Sequence, residues 1–257
     1  MRRSNILVIL PTLGDRIETL EETLESVNQQ RADVDLTLVL VAPATATAAR
    51  ALAARYGAVI VDDPKEGISA AINCGLAARD SESYYAWIGD DDLYRPQGLQ
   101  TLQVMLDADP SAVLAFGGCD YIDGSGRTLA VSNAAGLAKL LLAWGPDLIP
   151  HPGTMIRLDA LAAIGGFDVT LKYAMDLDAL LKLRSHGRFL STRRSVSAFR
   201  WHPDSLTVAN RLHSSLESEA VKKRHLPRAL RPISPIWNYP IRWASAFAAK
   251  RVGAQAH

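Results

Sequence analysis

The feature that most constrains this chain is an alternation, through its first half, of short apolar runs with longer stretches of helical apolar spacing. Residues 5–10, 36–41, 58–61 and 84–88 are apolar runs of strand length, and the intervening segments 16–29, 45–56 and 69–78 repeat apolar positions at helical intervals. Strands apolar on both faces are covered on both faces, so this order predicts βα units on a mostly parallel central sheet flanked by helices, a Rossmann-like α/β fold. Gly57 stands where the second helix needs a left-handed C-cap, and Pro96 where a further helix, running to Asp107, starts. Beyond it, residues 112–117 read as a strand and 121–131 as a hairpin turning at Asp123-Gly124-Ser125-Gly126. Segments 158–164 and 176–186 read as helices, Gly187 as a helix stop and 195–200 as a strand.

At 257 residues and 48% hydrophobic, the chain can bury a sizeable core, which excludes a disordered protein or a disulfide-stapled miniprotein. Cys74 and Cys119 are far apart and lack a CxxC partner, which argues against a zinc knuckle or redox pair and for a reducing compartment. After Met1-Arg2-Arg3-Ser4-Asn5 only Ile6 to Leu10 are apolar before Pro11, too short for the apolar core of a signal sequence, and no apolar run reaches the roughly 18 residues of a membrane span. A cytoplasmic location is expected, with peripheral contact at the inner face of the membrane left open. The formal charge of +1 conceals an asymmetry: residues 220–257 hold eight Lys and Arg and no Asp or Glu, leaving the rest with 20 basic and 27 acidic residues. Pro227, Pro232, Pro235 and Pro240 punctuate this end, so residues 1–225 read as one domain and 226–257 as a short helical or proline-rich tail. Trp237, Tyr239, Trp243 and Phe247 among its cations suit an anionic membrane interface, the alternative being packing on the domain or another subunit; nucleic acid is not the expected partner.

In open α/β sheets, ligands bind beyond the carboxyl ends of the strands. Those positions hold Pro11-Thr12-Leu13-Gly14-Asp15-Arg16, then Asp62-Asp63-Pro64-Lys65-Glu66-Gly67, then Gly89-Asp90-Asp91-Asp92. No GxGxxG follows the first strand and no GxxxxGK[ST] occurs, so neither a dinucleotide site nor a P-loop is supported. Three adjacent carboxylates at a strand end repel one another, and a hard divalent cation with oxygen ligands relieves that best; Mg²⁺ or Mn²⁺ held by one or two of them can then bridge a diphosphate. The plain alternative is a solvated acidic turn ahead of the next helix. Gly67 lets backbone approach a ligand, and Asn73 on the helix behind it offers a donor and an acceptor to ribose or pyrophosphate, unless Ser69 merely caps that helix and Asn73 is exposed.

Taken in order, Pro11-Thr12, Gly67-Ile68-Ser69-Ala70-Ala71-Ile72-Asn73-x-Gly75 and Trp87-Ile88-Gly89-Asp90-Asp91-Asp92-x-x-x-Pro96 resemble the N-terminal half of a family 2 glycosyltransferase with the GT-A fold. His151-Pro152-Gly153-Thr154, Gly165-Gly166-Phe167-Asp168 and Tyr173-Ala174-Met175-Asp176-Leu177-Asp178 are similar to that family's acceptor-side segments, and the likeness covers about residues 4 to 210. The resemblance implies an inverting, metal-dependent enzyme of polysaccharide or glycolipid assembly. A nucleoside-diphosphate sugar, a UDP-sugar first, is the implied donor, with a glycan or lipid-linked acceptor and Mn²⁺ or Mg²⁺ as cofactor. It assigns Pro11 and Thr12 to the nucleotide, Asp90 and Asp92 to the metal as the DxD aspartates, and Asp176 to the catalytic base. Asp15, Arg16, Asp63, Gly67, Asn73, Asp91 and His151 fall among the substrate-binding positions, and His202 where related enzymes place a histidine near the metal or diphosphate. Asp176 at a helix start suits proton abstraction, although a plain helix cap is the alternative; Asp178 points elsewhere and reads as structural.

Two departures stand out. The family's D-x-S-x-D after the second strand is replaced by Val41-Ala42-Pro43-Ala44-Thr45, leaving base recognition to other groups such as Asp62 or Asp63, and Met175 stands where many relatives have Glu. A sugar-nucleotide pyrophosphorylase fits less well, for want of its Gly-rich basic loop. A non-catalytic sugar-nucleotide-binding or scaffold protein retaining the fold is the alternative function.

Overall fold

The computed structural model describes residues 6–132, 138, 141–145, 148–201, 211–232 and 236. The expected units appear in order: β1 (Ile6–Pro11), α1 (Ile17–Gln30), β2 (Leu36–Ala42), α2 (Thr47–Arg55), β3 (Val59–Asp62), α3 (Ile68–Ala77) and β4 (Tyr84–Trp87). There follow β5 (Leu93–Tyr94), α4 (Gly98–Ala108), β6 (Ala112–Ile122), β7 (Thr128–Ser132), a 3-10 turn (His151–Gly153), β8 (Thr154–Arg157) and α5 (Leu158–Ala163). The last elements are α6 (Met175–Leu183), β9 (Arg188–Arg200), α7 (Arg211–His225) and a 3-10 turn at Arg228–Leu230.

The strands form one sheet in the order β3-β2-β1-β4-β8-β6-β9-β5, with β7 added on β6. Pairing is parallel from β3 to β4, as the βα alternation predicts. The second half is mixed: β8 is antiparallel to both β4 and β6, β9 runs parallel to β6, and β5 and β7 pair antiparallel with β9 and β6. Alternation within each strand feeds two cores. Ile6, Val8 and Leu10 of β1 pack with Leu20 and Leu24 of α1 and Leu99, Leu102 and Leu106 of α4, while Leu7 and Ile9 face Ile72 of α3, Leu161 of α5 and Leu177 and Leu180 of α6. A buried leucine here contributes about 1.5–3 kcal/mol relative to an exposed one.

Several boundaries differ from the sequence reading for physical reasons. The helix expected from Pro96 begins at Gly98, because Gln97 is in the left-handed region (φ 59), and a Cβ at Gly98 would lie 2.2 Å from the Val196 carbonyl oxygen of β9. Only glycine lets α4 lie that close to the sheet. The strand expected at 195–200 is the end of the longer β9, whose earlier residues are too polar to read as an apolar run, and the helix expected to reach 186 ends at Leu183. Gly57 has φ 68 and closes α2 as expected. The turn at Asp123-Gly124-Ser125-Gly126 joins β6 to β7, again as expected. Among the described residues no helix is long and apolar enough to cross a membrane. Most of the tail 226–257 lies outside the described residues.

Candidate active site

The carboxyl ends of β3, β2, β1 and β4 lie at one edge of the sheet, so Asp63, Ala42, Pro11-Thr12 and the Gly89–Asp92 link between β4 and β5 share that edge. Each carboxylate of the acidic run has its own partner. Thr12 Oγ1 donates to Asp90 Oδ2 at 2.5 Å, and its other contact, the Gly14 N–H at 3.0 Å, folds the loop after β1 over it. Arg16 Nη1 donates to Asp91 Oδ2 at 2.6 Å and stands 3.7 Å from Asp90 Oδ1. Asp92 is 1% exposed; its Oδ1 accepts the Arg200 backbone N–H at 3.0 Å, and its Oδ2 lies 3.7 Å from His151 Nε2. Gly89 makes this possible, since a Cβ there would press on the Asp91 and Asp92 carboxylates at 3.1 and 3.2 Å.

Burial dominates the electrostatics. Desolvation pushes Asp90 up to about 6, aided by the charges of Asp91 and Asp15 and opposed by Thr12 and Arg16. Asp92 is likewise raised by burial and by Asp91, against His151 and the Arg200 N–H. Concentrated, destabilised negative charge at a strand end attracts cations.

Beside it is a second acidic position. Asp176 lies in the first turn of α6, partly buried, with its Oδ1 accepting the Leu177 N–H at 2.8 Å. Asp176 is not the helix cap weighed above: the capping position is Ala174, and no side-chain cap bond is made there. Burial raises the Asp176 carboxyl, the charge of Glu217 adds to the rise, and His151 and the Leu177 N–H oppose it. Asp176 shares a cavity of about 10 Å³, roughly one water's room, with Tyr85, Trp87, His151, Phe167 and neighbouring apolar residues. The Tyr85 hydroxyl is buried there with no hydrogen-bond partner among the described residues. His151 stacks on Trp87 (centroids 4.4 Å apart, 17° between planes) and meets Phe199 edge-on at 5.9 Å, so its ring is fixed between the two acidic positions.

The structure gives other expected residues different surroundings. Asn73 does not present its amide to the strand-end crevice: its Nδ2 donates to the Phe167 carbonyl at 2.7 Å and its Oδ1 accepts the Phe167 N–H at 3.0 Å. It clasps α3 to the Gly165-Gly166-Phe167 loop. Gly166 (φ 72) is required there, as its Cβ would sit 2.9 Å from Asn73 Oδ1. Asp63 accepts the Lys65 N–H at 2.8 Å in a tight turn, Asp62 pairs with Arg50, Asp15 is exposed, and Gly67 (φ 101) opens α3 at the surface. Asp178, 3% exposed, ties α6 to α7 through His225 Nε2 at 3.0 Å and pairs with Lys182 at 2.7 Å, the structural part expected of it. His202 lies outside the described residues.

Two supporting residues were missed. Arg200, 3% exposed, donates Nε to the Asp91 carbonyl (2.9 Å) and Nη1 to the Gly124 carbonyl (2.8 Å), and pairs with Glu22. Its signal was an arginine ending an apolar strand. Glu217 of α7 caps α6 from a distance, which no local pattern announces.

A divalent ion fits the chemistry of the donor set in one way only. Asp90 and Asp92 offer hard oxygen ligands suited to an ion that also takes substrate phosphates. An all-protein cage does not fit, because among the described residues no three His, Cys, Asp or Glu side chains converge to hold a metal.

Residues 7–161 match the model of glycosyl transferase family 2, so the chain belongs to that family and is a glycosyltransferase. No curated protein matches it. Among solved structures, a mannosyltransferase, PcManGT from Pyrobaculum calidifontis, in complex with GDP-Man and Mn²⁺, is similar at TM-score 0.70 and 19% identity, over 99% of this chain and 74% of that one. TarS 1-349 of S. aureus, in complex with UDP-GlcNAc, is similar at TM-score 0.66 and 14% identity, over 88% and 69%. Glucosyl-3-phosphoglycerate synthase from Mycobacterium tuberculosis, with Mn²⁺, UDP and phosphoglyceric acid, is similar at TM-score 0.61 and 17% identity, over 86% and 79%. At these identities the likeness is one of fold, the GT-A fold expected from the sequence.

Proposed function

We propose that this chain moves a sugar from a nucleoside-diphosphate sugar to an acceptor hydroxyl by single displacement, with Asp176 as the base. The observation that carries the reading is the fixed ring of His151, which lies 3.7 Å from the strand-end carboxylate Asp92 and lines the same cavity as Asp176. A donor diphosphate over Thr12 and Asp90 would thus have its sugar beside a desolvated carboxylate. Burial keeps Asp176 basic enough to take a proton from the attacking hydroxyl while the small apolar cavity excludes bulk water.

Thr12 and Arg16 hold Asp90 and Asp91 in place at the diphosphate end, and Arg200 fixes the turn between them and β5. Asp90 and Asp92 would hold Mn²⁺ or Mg²⁺, which when bound neutralises charge on the departing nucleoside diphosphate. Attack from the face opposite the leaving group inverts the anomeric centre. Donors of this class are supported by the neighbouring structures, which carry UDP-GlcNAc, GDP-Man and UDP; both bases occur among them, so the base is left to experiment. The acceptor is a glycan or lipid-linked hydroxyl, and the basic and aromatic composition of residues 226–257 favours an anionic surface nearby.

The test is Asp176→Asn. Release of nucleoside diphosphate from the sugar nucleotide should fall about 10²- to 10⁴-fold while nucleotide binding persists. Unchanged turnover would remove Asp176 from the chemistry.

A further inference from the structure

We propose that Glu217 is a positioning residue that sets the catalytic carboxylate from a separate helix, an inference that rests on the reading of Asp176 as the base. The first turn of any helix presents backbone N–H groups without intrahelical acceptors. At α6 the capping position is Ala174, which has no side chain able to accept them. Glu217, in the middle of α7, instead accepts from the backbone of the capping residue and of the two residues ahead of it. Its Oε1 takes the N–H groups of Tyr173 at 2.7 Å, Ala174 at 2.8 Å and Lys172 at 3.0 Å, and its Oε2 also approaches the Lys172 N–H at 3.2 Å.

One carboxylate therefore closes the backbone of the three residues that lead into Met175-Asp176. A negative charge at a helix N-terminus is favourable, and these bonds are of the stronger, charge-assisted kind. The pose of α7 is itself pinned at several points. His225 bonds Asp178 inside α6, Arg224 stands 3.6 Å from Asp168, and Lys222 donates to the Gly145 carbonyl. Asp176 thus lies between two influences, the strand-end crevice through His151, which lines the same cavity, and α7 through Glu217. Because misplacing a catalytic group by about 1 Å can cost about 10²-fold in rate, the clasp governs turnover without touching substrate.

The experiment compares wild type, Glu217→Ala and Glu217→Gln for kcat, donor KM and amide hydrogen exchange at Lys172, Tyr173 and Ala174. Glu217→Ala should lower kcat on the order of 10- to 100-fold with donor KM unchanged, and speed exchange at the three amides. Glu217→Gln keeps an acceptor oxygen and should restore most of both. Wild-type kcat in Glu217→Ala, or a loss in Glu217→Gln as large as in Glu217→Ala, would overturn the proposal. Should Glu217→Ala fail to fold, Glu217→Asp, one methylene short of the three amides, takes its place with the same expectations. A wild type without turnover would count against the base assignment instead, and the exchange measurement still decides the clasp: unchanged protection in Glu217→Ala refutes it.

Discussion

His151 Nε2 stands 3.7 Å from Oδ2 of Asp92, a carboxylate that is 1% exposed and whose other oxygen is taken by the Arg200 N–H. The pair links the acidic strand end to the cavity of Asp176, and the stack on Trp87 holds it there. His151→Ala should therefore lower turnover at least as much as it lowers stability. Loss of the stack should cost about 0.5–1.5 kcal/mol in urea denaturation, with the variant still folded by circular dichroism. Wild-type turnover in His151→Ala would show that the two acidic positions work independently.

Arg200 is a buried guanidinium bonded to the carbonyls of Asp91, Asp123 and Gly124 and paired with Glu22. Arg200→Ala leaves those carbonyls without their donor, while the exposed Glu22 carboxylate returns to water, and should destabilise the fold by about 1–3 kcal/mol. Arg200→Lys should recover little of this, because a point ammonium cannot reproduce a planar fork. Thermal denaturation with matched controls measures both.

Asn73 makes a two-point bond to Phe167, so its removal should act on stability rather than on nucleotide affinity. Asn73→Ala should cost about 1–3 kcal/mol in chemical denaturation and leave the nucleotide Kd unchanged. A selective loss of nucleotide affinity would return Asn73 to the ligand.

Asp123 closes the β6–β7 turn by accepting from Ser125 Oγ at 2.6 Å and from the Ser125 and Arg127 N–H groups at 2.9 and 3.0 Å. These bonds, the Ser125 hydroxyl first, hold its carboxyl down at about 2, below the ordinary carboxylate value of 3.8. A depressed carboxyl stabilises the fold above its unfolded value and loses that contribution as pH falls. The turn should thus be intact at pH 5 and loosen between about 4 and 2, read by NMR titration of the Asp123 side chain. Titration at an ordinary carboxylate value would contradict it.

Where the sequence was legible, the physics was local. Ile6–Pro11 and Leu36–Ala42 are apolar on both faces because helices cover both, and Gly57 announces the end of α2. The acidic run after Trp87 could be placed at the sheet edge because it follows a wholly buried strand. What stayed hidden depends on contacts between distant segments. β8 is only Thr154–Arg157 and is defined by the strands on either side of it, β9 begins with a polar stretch, and α7 follows residues with no clear periodicity. Asn73 looked like a ligand group because its true partner, Phe167, is 94 residues away. Arg200 and Glu217 went unmarked for the same reason: each acts on backbone atoms of another segment, which no side-chain pattern encodes.

The central claim is that Asp90-Asp91-Asp92 and Asp176 divide donor binding from chemistry. Calorimetric titration with UDP, GDP, CDP and dTDP, each with and without Mn²⁺, on wild type, Asp92→Ala and Asp176→Asn tests it directly. One nucleotide should bind in the presence of the metal, lose affinity in Asp92→Ala and keep it in Asp176→Asn. Binding that ignores both the metal and Asp92, or binding of none of the four, would contradict the account.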